Sequence, residues 1–307
     1  MNSAGASAAS AASSRAPGRD VSGNSPAGAA TSSARSRDGL LPRIASSVVL
    51  VPLAIGTAYA GGWLFAIFWG AAALVVAWEW STMAAVGRLA LAAGLAALAL
   101  AGVLAPLNQA AACGAVLLGA AAAGVLAEAP HGRSRTSAWA AAGVLYAGAI
   151  LTAPAVLRAD AIWGFVSIIF LFAIVWATDI CGYFVGRWIG GPKLWSVVSP
   201  KKTWSGAIGG ALGALAAGVA VAKYGGAPNL LATAVLALLL SAVSQAGDLF
   251  ESAIKRRFGV KDASHVIPGH GGIMDRLDGF VAAAVLAAMI GIARGGLSAP
   301  ARGLLVW

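Results

Sequence analysis

Charged residues are scarce in this chain. Asp, Glu, Lys and Arg make up 10% of its 307 residues, whereas soluble globular domains carry about 25%. Hydrophobic residues make up 59% and the mean hydropathy is +0.82. A water-soluble fold cannot bury that much apolar surface, so the composition excludes a soluble α/β enzyme, a coiled coil and a disordered protein. It predicts a polytopic membrane protein.

Cysteine is rare as well. Cys113 and Cys181 are the only two, and each lies in its own apolar run far from the other. The sequence therefore predicts free thiols and no disulfide framework. Strict alternation of apolar and polar residues is also missing, since the apolar runs are continuous and rich in Ala and Leu. Such runs favour transmembrane helices over a β-barrel.

Residues 1–38 contain no apolar run and consist mostly of Ala, Ser, Gly and Arg. This composition is typical of a disordered tail and matches neither a signal peptide nor a span. After the tail, the sequence predicts an N-terminal transmembrane scaffold of about five spans over 39–160. Residues 161–307 are predicted to form a second region of about four spans that carries the chemistry.

Nine apolar runs come close to the roughly 20 residues that a helix needs to cross the hydrocarbon core. The predicted fold class is therefore all-α, a polytopic transmembrane helical bundle. The predicted spans are 43–60, 62–80, 89–106, 109–127, 138–157, 161–186, 206–222, 229–250 and 277–294.

The distribution of basic residues predicts the orientation of the bundle. With the N-terminus in the cytoplasm, 17 of the 21 Lys and Arg residues lie on the cytoplasmic side, where polar loops 187–205 and 251–276 also lie. The opposite side holds only four, namely Arg158, Lys223, Arg294 and Arg302. This split follows the positive-inside rule and accounts for most of the net charge of +10 without any nucleic-acid partner.

One candidate site lies on the sixth predicted span. Asp179, Tyr183 and Arg187 are spaced at i, i+4 and i+8 and so share one helix face. An ionisable group at this depth is usually functional or paired with a basic residue, and both interpretations stay open here. Glycines recur every four residues at Gly182, Gly186 and Gly190, which favours close helix packing.

A second candidate site is the segment S-P-K-K-T-W-S-G at 199–206. Ser199, Lys202 and Thr203 precede a helix start predicted at Gly206, and such an arrangement suits a phosphate group. The alternative is a basic loop whose lysines reach anionic lipid headgroups. The glycines that follow are predicted to serve helix packing, namely Gly206, Gly209, Gly210 and Gly213.

The third candidate site is the strongest. Asp248, Ser252 and Lys255 share a helix face, and Asp275 and Asp278 lie at the start of the ninth predicted span. Carboxylates at two helix ends suit Mg²⁺, which typically takes one or two carboxylates together with substrate phosphates. The sequence thus predicts Asp248, Asp275 and Asp278 as metal ligands.

Basic and small residues surround these carboxylates. Phosphates could be neutralised by a set of cations, namely Lys255, Arg256, Lys261 and Arg276. Gly271 and Gly272 permit a close approach of the backbone to a ligand. A lone histidine among glycines, as His270 is, more often forms hydrogen bonds than binds metal. The alternative for the whole segment is a structural network of ion pairs.

These residues also carry a resemblance. Residues 252–278 read S-A-I-K-R-R-F-G-V-K-D-A-S-H-V-I-P-G-H-G-G-I-M-D-R-L-D. The segment resembles the signature of the phosphatidate cytidylyltransferase, or CDP-diacylglycerol synthase, family and meets each of its fixed positions. The stretch from Trp176 to Arg187, the Gly247-Asp248-Leu249 segment and the 199–203 loop also fit. The chain departs at Ser205, where many members have Glu, and this puts the role of that position in doubt.

The resemblance implies an activity and a set of roles. The family joins CTP to phosphatidic acid in the bacterial cytoplasmic membrane and produces CDP-diacylglycerol and pyrophosphate. It implies Mg²⁺ as cofactor, leaves a second ion such as K⁺ open, and makes a homodimer a family-level expectation. The implied catalytic residues are Asp248, Lys255, Arg256, Asp275, Arg276 and Asp278. The implied substrate-binding residues are Asp179, Arg187, Ser199, Lys202, Thr203, Ser252, Lys261, His270, Gly271 and Gly272.

Three alternatives come from other classes of protein. An ion-coupled transporter would use Asp179 and Asp248 at mid-depth, but the sequence shows no internal repeat. A CDP-alcohol phosphotransferase would need an Asp-Gly pair that continues into its own motif, and neither Asp38-Gly39 nor Asp278-Gly279 does so. A purely structural membrane protein would not need the polar residues of 248–278.

Overall fold

The computed structural model describes residues 48–128, 134–264, 266 and 271–307. Within these ranges the chain is a bundle of helices with one short hairpin, which confirms the predicted all-α polytopic membrane bundle. The helices are α1 Val48–Ala60, α2 Gly62–Met83, α3 Arg88–Leu104, α4 Gln109–Glu128, α5 Ser134–Arg158, α6 Gly164–Ile189, α7 Trp204–Tyr224, α8 Leu230–Arg257, α9 Met274–Gly295 and α10 Pro300–Leu305. The strands are β1 Lys193–Trp195 and β2 Ser199–Thr203.

Each predicted span corresponds to an apolar helix among the described residues. Seven of these helices are long and apolar enough to cross a membrane, while α1 and α3 are shorter. The chain is therefore an integral membrane protein. The predicted tail, residues 1–38, and the predicted start of the first span at residue 43 lie outside the described residues. The division at residue 160 stays a prediction.

Several helices extend beyond the predicted spans. Helix α8 continues to Arg257 rather than ending at residue 250, and α9 begins at Met274 rather than at 277. Hydropathy marks where a helix is apolar, whereas the helix itself continues as long as its backbone hydrogen bonds are made. The last turn of α8 contains Lys255, Arg256 and Arg257, which suit the negative end of the helix dipole.

The hairpin β1–β2 was not predicted from the sequence. Its strands pair antiparallel, with Lys193 opposite Thr203 and Trp195 opposite Ser199. The Thr203 Oγ1 atom then accepts a hydrogen bond of 3.1 Å from the Gly206 N–H and caps α7, which starts at Trp204 rather than at Gly206. The hairpin therefore fixes the segment that carries Lys202 against the end of a transmembrane helix.

Glycines bring α6 and α7 into close contact, as their spacing predicts. A Cβ built on Gly206 would lie 2.8 Å from the Gly182 carbonyl oxygen, and one on Gly210 would lie 2.7 Å from that of Thr178. Only the absence of side chains permits this approach of the two backbones. Gly190 is an exception, because it has a φ of +67° and ends α6 instead of packing against α7.

An aromatic stack joins the first half of the chain to the second. The indole of Trp69 on α2 lies parallel to the ring of Phe280 on α9, with centroids 4.8 Å apart. Phe172 on α6 lies against both rings, 6.3 Å from Trp69 and 5.5 Å from Phe280. Buried aromatic pairs of this kind add to the packing that fixes α2, α6 and α9 relative to one another.

Candidate active site at one end of the bundle

Polar residues from both predicted loops meet at one end of the bundle, which we call the polar end. It contains the C-terminal ends of α2, α6 and α8, the N-terminal end of α9 and the hairpin. Lys202 of the hairpin forms an ion pair with Asp248 of α8. Lys255 of α8 forms another with Asp275 of α9, at 2.6 Å. The sequence predicted that both loops lie on one side of the membrane, whereas these two pairings did not follow from it.

The crossing of α8 and α9 places Asp248 close to Asp278. A Cβ built on Gly247 would lie 2.8 Å from the Asp278 carbonyl oxygen, and one on Gly279 would lie 2.6 Å from the Ser244 hydroxyl oxygen. Each glycine is the sequence neighbour of one of the two aspartates. The close crossing therefore brings two carboxylates on different helices to one place.

Asp179 of α6 belongs to the same group of acids. The charges of Asp179, Asp248 and Asp278 act on one another, and Lys202 acts on both Asp179 and Asp278. We call these three residues the carboxylate group. Asp179 is exposed, and Asp248 and Asp278 are half-buried. Three acids beside Lys202 and Arg276 favour the binding of a further cation.

A second ionic cluster lies between α8 and α9, nearer to the helix ends than Asp248 and Asp278. The Lys255 ammonium is 2.8 Å from Glu251 Oε2 and 2.6 Å from Asp275 Oδ1. Glu251 is 1% exposed, and the Asp275 and Lys255 side chains are 9% and 13% exposed. The sequence predicted Lys255 as a phosphate partner, whereas the structure pairs it with two buried carboxylates. Its contact with a phosphate stays a prediction.

Asp275 also organises the segment in front of α9. Its Oδ2 atom accepts hydrogen bonds from the Gly272 N–H at 2.8 Å and the Ala263 N–H at 3.1 Å. Gly271 has a φ of +85°, and a Cβ there would lie 3.0 Å from the same oxygen. Both oxygens of Asp275 are thus engaged by the chain itself. Its role as a metal ligand stays a prediction.

Glu79 of α2 is a residue of the polar end that the sequence analysis did not select. It is fully buried, and it accepts hydrogen bonds from the Ile273 and Met274 N–H groups and from the Ser264 hydroxyl. The signal in the sequence was a carboxylate inside an apolar run, which is usually functional or paired. The few charges of residues 44–157 favour a scaffold, so the sequence alone does not single out Glu79.

The remaining predicted residues differ in their surroundings. Arg187 donates a hydrogen bond of 2.9 Å to the Tyr183 hydroxyl, as their spacing predicts, and lines a surface cavity of about 590 Å³ with Phe184 and Trp188. Ser252 and Ser199 are half-buried, and Thr203 is buried as the cap of α7. Three further cations are exposed, namely Arg256, Lys261 and Arg276. His270 lies outside the described residues. The substrate contacts of all these residues stay predictions.

The donor set of the carboxylate group suits Mg²⁺. Within the described ranges, no group of three or more His, Cys, Asp or Glu residues is arranged so that it could hold a metal ion. Mg²⁺ does not require such a group, because it usually takes one or two carboxylates and completes its coordination with water and substrate phosphates. Asp248 and Asp278 provide two carboxylates from two helices.

The close crossing of α8 and α9 leads to a first prediction. Gly279→Ala places a methyl group against Ser244 of α8, so we expect the two helices to move apart and the activity to fall by about a hundredfold. Gly114→Ala on α4 is the matched control, since a Cβ there meets nothing within 4 Å. Activity of both variants is measured after purification in detergent. Equal activities would show that the crossing does not position the carboxylates.

The fold defines a polytopic membrane protein whose predicted site residues include two ion-paired groups at one end of its helices. The sequence pattern of the cytidylyltransferase family matches residues 41–292. The phosphatidate cytidylyltransferase of Brucella suis is 45% identical over 257 residues, which cover 82% of this chain and 93% of that protein. That of Synechocystis is 48% identical over 124 residues, 40% of this chain and 42% of that protein. The chain belongs to the phosphatidate cytidylyltransferase family.

Proposed function

We infer that this protein is a CTP:phosphatidate cytidylyltransferase of phospholipid biosynthesis. It transfers the cytidylyl group of CTP to phosphatidic acid and gives CDP-diacylglycerol and pyrophosphate. The observation that carries this function is the identity of 45% over 82% of the chain to a phosphatidate cytidylyltransferase. The family match over residues 41–292 also spans the polar end.

The reaction needs positioning and charge neutralisation more than it needs a base. An oxygen of the lipid phosphate attacks the α-phosphorus of CTP, a new P–O bond forms, and the bond from the α-phosphorus to the bridging oxygen of pyrophosphate breaks. The attacking phosphate is already anionic at neutral pH, so no strong general base is required. In-line alignment and compensation of the negative charge of CTP and of the leaving pyrophosphate are then the main requirements.

We propose Asp248 and Asp278 as the residues that hold Mg²⁺. Their convergence at the glycine crossing supports this choice. Asp275 is the third predicted ligand, and its oxygens already accept hydrogen bonds from Lys255 and from the Gly272 N–H. When bound, Mg²⁺ supplies a positive charge that compensates phosphate oxygens. Asp179 adds to the negative potential that attracts a cation. A second ion stays open, and a homodimer stays a prediction.

We propose the half-buried Lys202 and the exposed cations around it as phosphate partners. Lys202 is held beside Asp248, so it lies next to the place assigned to the metal. Arg187, Arg256, Lys261 and Arg276 are exposed around it, and a guanidinium or ammonium there would bind the anionic oxygens of CTP or of the lipid. The dependence of the rate on CTP and on phosphatidic acid in variants of each cation shows which substrate that cation binds.

We place the polar end at the cytoplasmic surface of the membrane. The positive-inside rule supports this orientation, since 17 of the 21 basic residues then lie on that side. Phosphatidic acid stays in the leaflet and CTP stays in the cytosol, so a site at this interface reaches both substrates.

A direct assay tests the function. Purified protein in detergent is given labelled CTP and phosphatidic acid, with Mg²⁺ or with EDTA. We expect a lipid-soluble CDP product only with Mg²⁺, because chelation removes the charge that compensates the triphosphate. A well-folded sample that forms no product with any phosphatidic acid or divalent ion would overturn the assignment.

A further inference from the structure

We propose that Glu79 is a positioning residue of the active site, acting from the first half of the chain. Its carboxylate holds the N-terminal end of α9 and the segment in front of it, so that Asp278 stays aligned with Asp248. This inference rests on the proposed function and adds a residue to its machinery.

The N-terminus of α9 lacks a cap of its own. Its N-cap residue is Ile273, which has no side-chain oxygen, and no side-chain cap bond is formed from that position. The first N–H groups of a helix have no partner within the helix and carry its positive dipole end. They are therefore satisfied by a side chain, water or a ligand from outside the helix.

Glu79 supplies this cap from α2. Its Oε1 atom accepts the Ile273 N–H at 2.9 Å, and its Oε2 atom accepts the Met274 N–H at 2.8 Å. The Ser264 hydroxyl donates a third hydrogen bond, of 2.5 Å, to Oε1. Glu79 is fully buried, so the N-terminus of α9 is its main source of electrostatic stabilisation among the described residues.

The backbone is shaped around this carboxylate. A Cβ built on Gly272 would lie 2.7 Å from Glu79 Oε1, so the glycine at 272 leaves the room that Glu79 occupies. On the other side of the same segment, the Gly272 N–H is held by Asp275. Glu79 and Asp275 thus hold Gly272 and Ile273, the residues just before α9, from two sides.

The consequence for the site is geometric. The anion-binding end of α9 is occupied by Glu79, so substrate phosphates have to find their partners among the side-chain cations. Asp278 lies one turn into α9, and any rotation or slip of the helix start moves it relative to Asp248. We therefore expect Glu79 to influence Mg²⁺ binding without contacting the ion.

The test compares three variants of the full-length protein in lipid nanodiscs. Glu79→Gln keeps the shape of the side chain but replaces one carboxylate oxygen with an NH₂ group. That group cannot accept a hydrogen bond from the Ile273 or Met274 N–H. Ser264→Ala removes one hydrogen-bond donor to Glu79 and is the milder change. It keeps the test possible if the Glu79→Gln protein does not fold. Val76→Ala, fully buried on the same helix, is the control for a loss of packing without a loss of hydrogen bonds.

Two measurements separate positioning from general stability. Hydrogen exchange at the Ile273 and Met274 amides, without substrate or metal, is expected to rise about tenfold in Glu79→Gln and not in Val76→Ala. The Mg²⁺ concentration for half-maximal activity is expected to rise about tenfold in Glu79→Gln, less in Ser264→Ala and not in Val76→Ala.

Some results would overturn the proposal. Unchanged exchange in Glu79→Gln and Ser264→Ala would show that the cap is not what holds α9. Faster exchange with an unchanged Mg²⁺ requirement would show that the cap does not position the site. A wild-type protein without cytidylyltransferase activity would overturn the proposed function, while the exchange measurement would still report on the cap.

Discussion

Asp278→Asn is expected to lower the turnover number by about a thousandfold, which corresponds to the several kcal/mol that a metal-held phosphate gains in the transition state. Asparagine keeps the shape of the side chain but removes its charge and one acceptor oxygen. The remaining carboxylates of the group, Asp179 and Asp248, would then bind Mg²⁺ more weakly. Turnover is measured over a range of Mg²⁺ concentrations, and we expect the half-saturating concentration to rise as well.

Asp160 provides the control for this variant. It lies at the other end of α6, accepts the Ile162 and Trp163 N–H groups, and binds the Arg302 N–H of α10. Asp160→Asn therefore makes the same Asp-to-Asn change far from the polar end, where it weakens hydrogen bonds to the Ile162, Trp163 and Arg302 N–H groups. We expect a lower Tm but the wild-type Mg²⁺ dependence in this variant. An Asp278→Asn protein with near-wild-type turnover would remove Asp278 from the metal site.

Lys255→Met is expected to reduce both stability and activity. The substitution leaves Glu251 and Asp275 without the cation between them, and breaking such a buried pair typically costs about 3–5 kcal/mol. For a chain of this size that corresponds to a fall in Tm of roughly 10 °C, measured in detergent. Lys261→Met is the matched control, since Lys261 is exposed, and we expect its Tm to stay unchanged.

A double variant separates the two effects of Lys255. In Glu251→Gln/Lys255→Met the buried acid that lost its partner is neutral, so we expect much of the lost Tm to return. If Lys255 also contacts a phosphate during the reaction, the activity stays low in the double variant. If activity returns together with Tm, Lys255 acts only through the ionic cluster. An unchanged Tm in Lys255→Met would contradict the pairing itself.

The sequence predicted the bundle well because hydropathy depends only on local composition. Each of the predicted spans has an apolar helix among the described residues. The end of α8 was placed seven residues early because Glu251, Lys255 and their neighbours make the last two turns polar. The hairpin was missed because the sequence S-P-K-K-T shows no alternation of apolar and polar residues and pairs with only three residues of β1.

Of the site, the sequence predicted the contacts within one helix but not those between helices, because residue spacing is also a local property. Spacing within one helix correctly put Asp248 on one face with Ser252, which donates a hydrogen bond of 3.5 Å to it. Contacts between helices do not follow from spacing. The pairing of Lys202 with Asp248 and the cap that Glu79 provides to α9 join residues far apart in the chain, so only the packed bundle reveals them.

The bond between Glu79 and Ile273 has a consequence for the biogenesis of the protein. The two residues are 194 positions apart, so α2 enters the membrane long before its partner has been made. At a synthesis rate of about 5–20 residues per second, the Glu79 carboxylate waits roughly 10–40 s for the N-terminus of α9. During that time the nascent chain has a lone acid at the end of a membrane helix. Glu79 therefore gains its backbone partners only once the last long span has been made, and chains truncated before residue 273 lack both of these N–H groups.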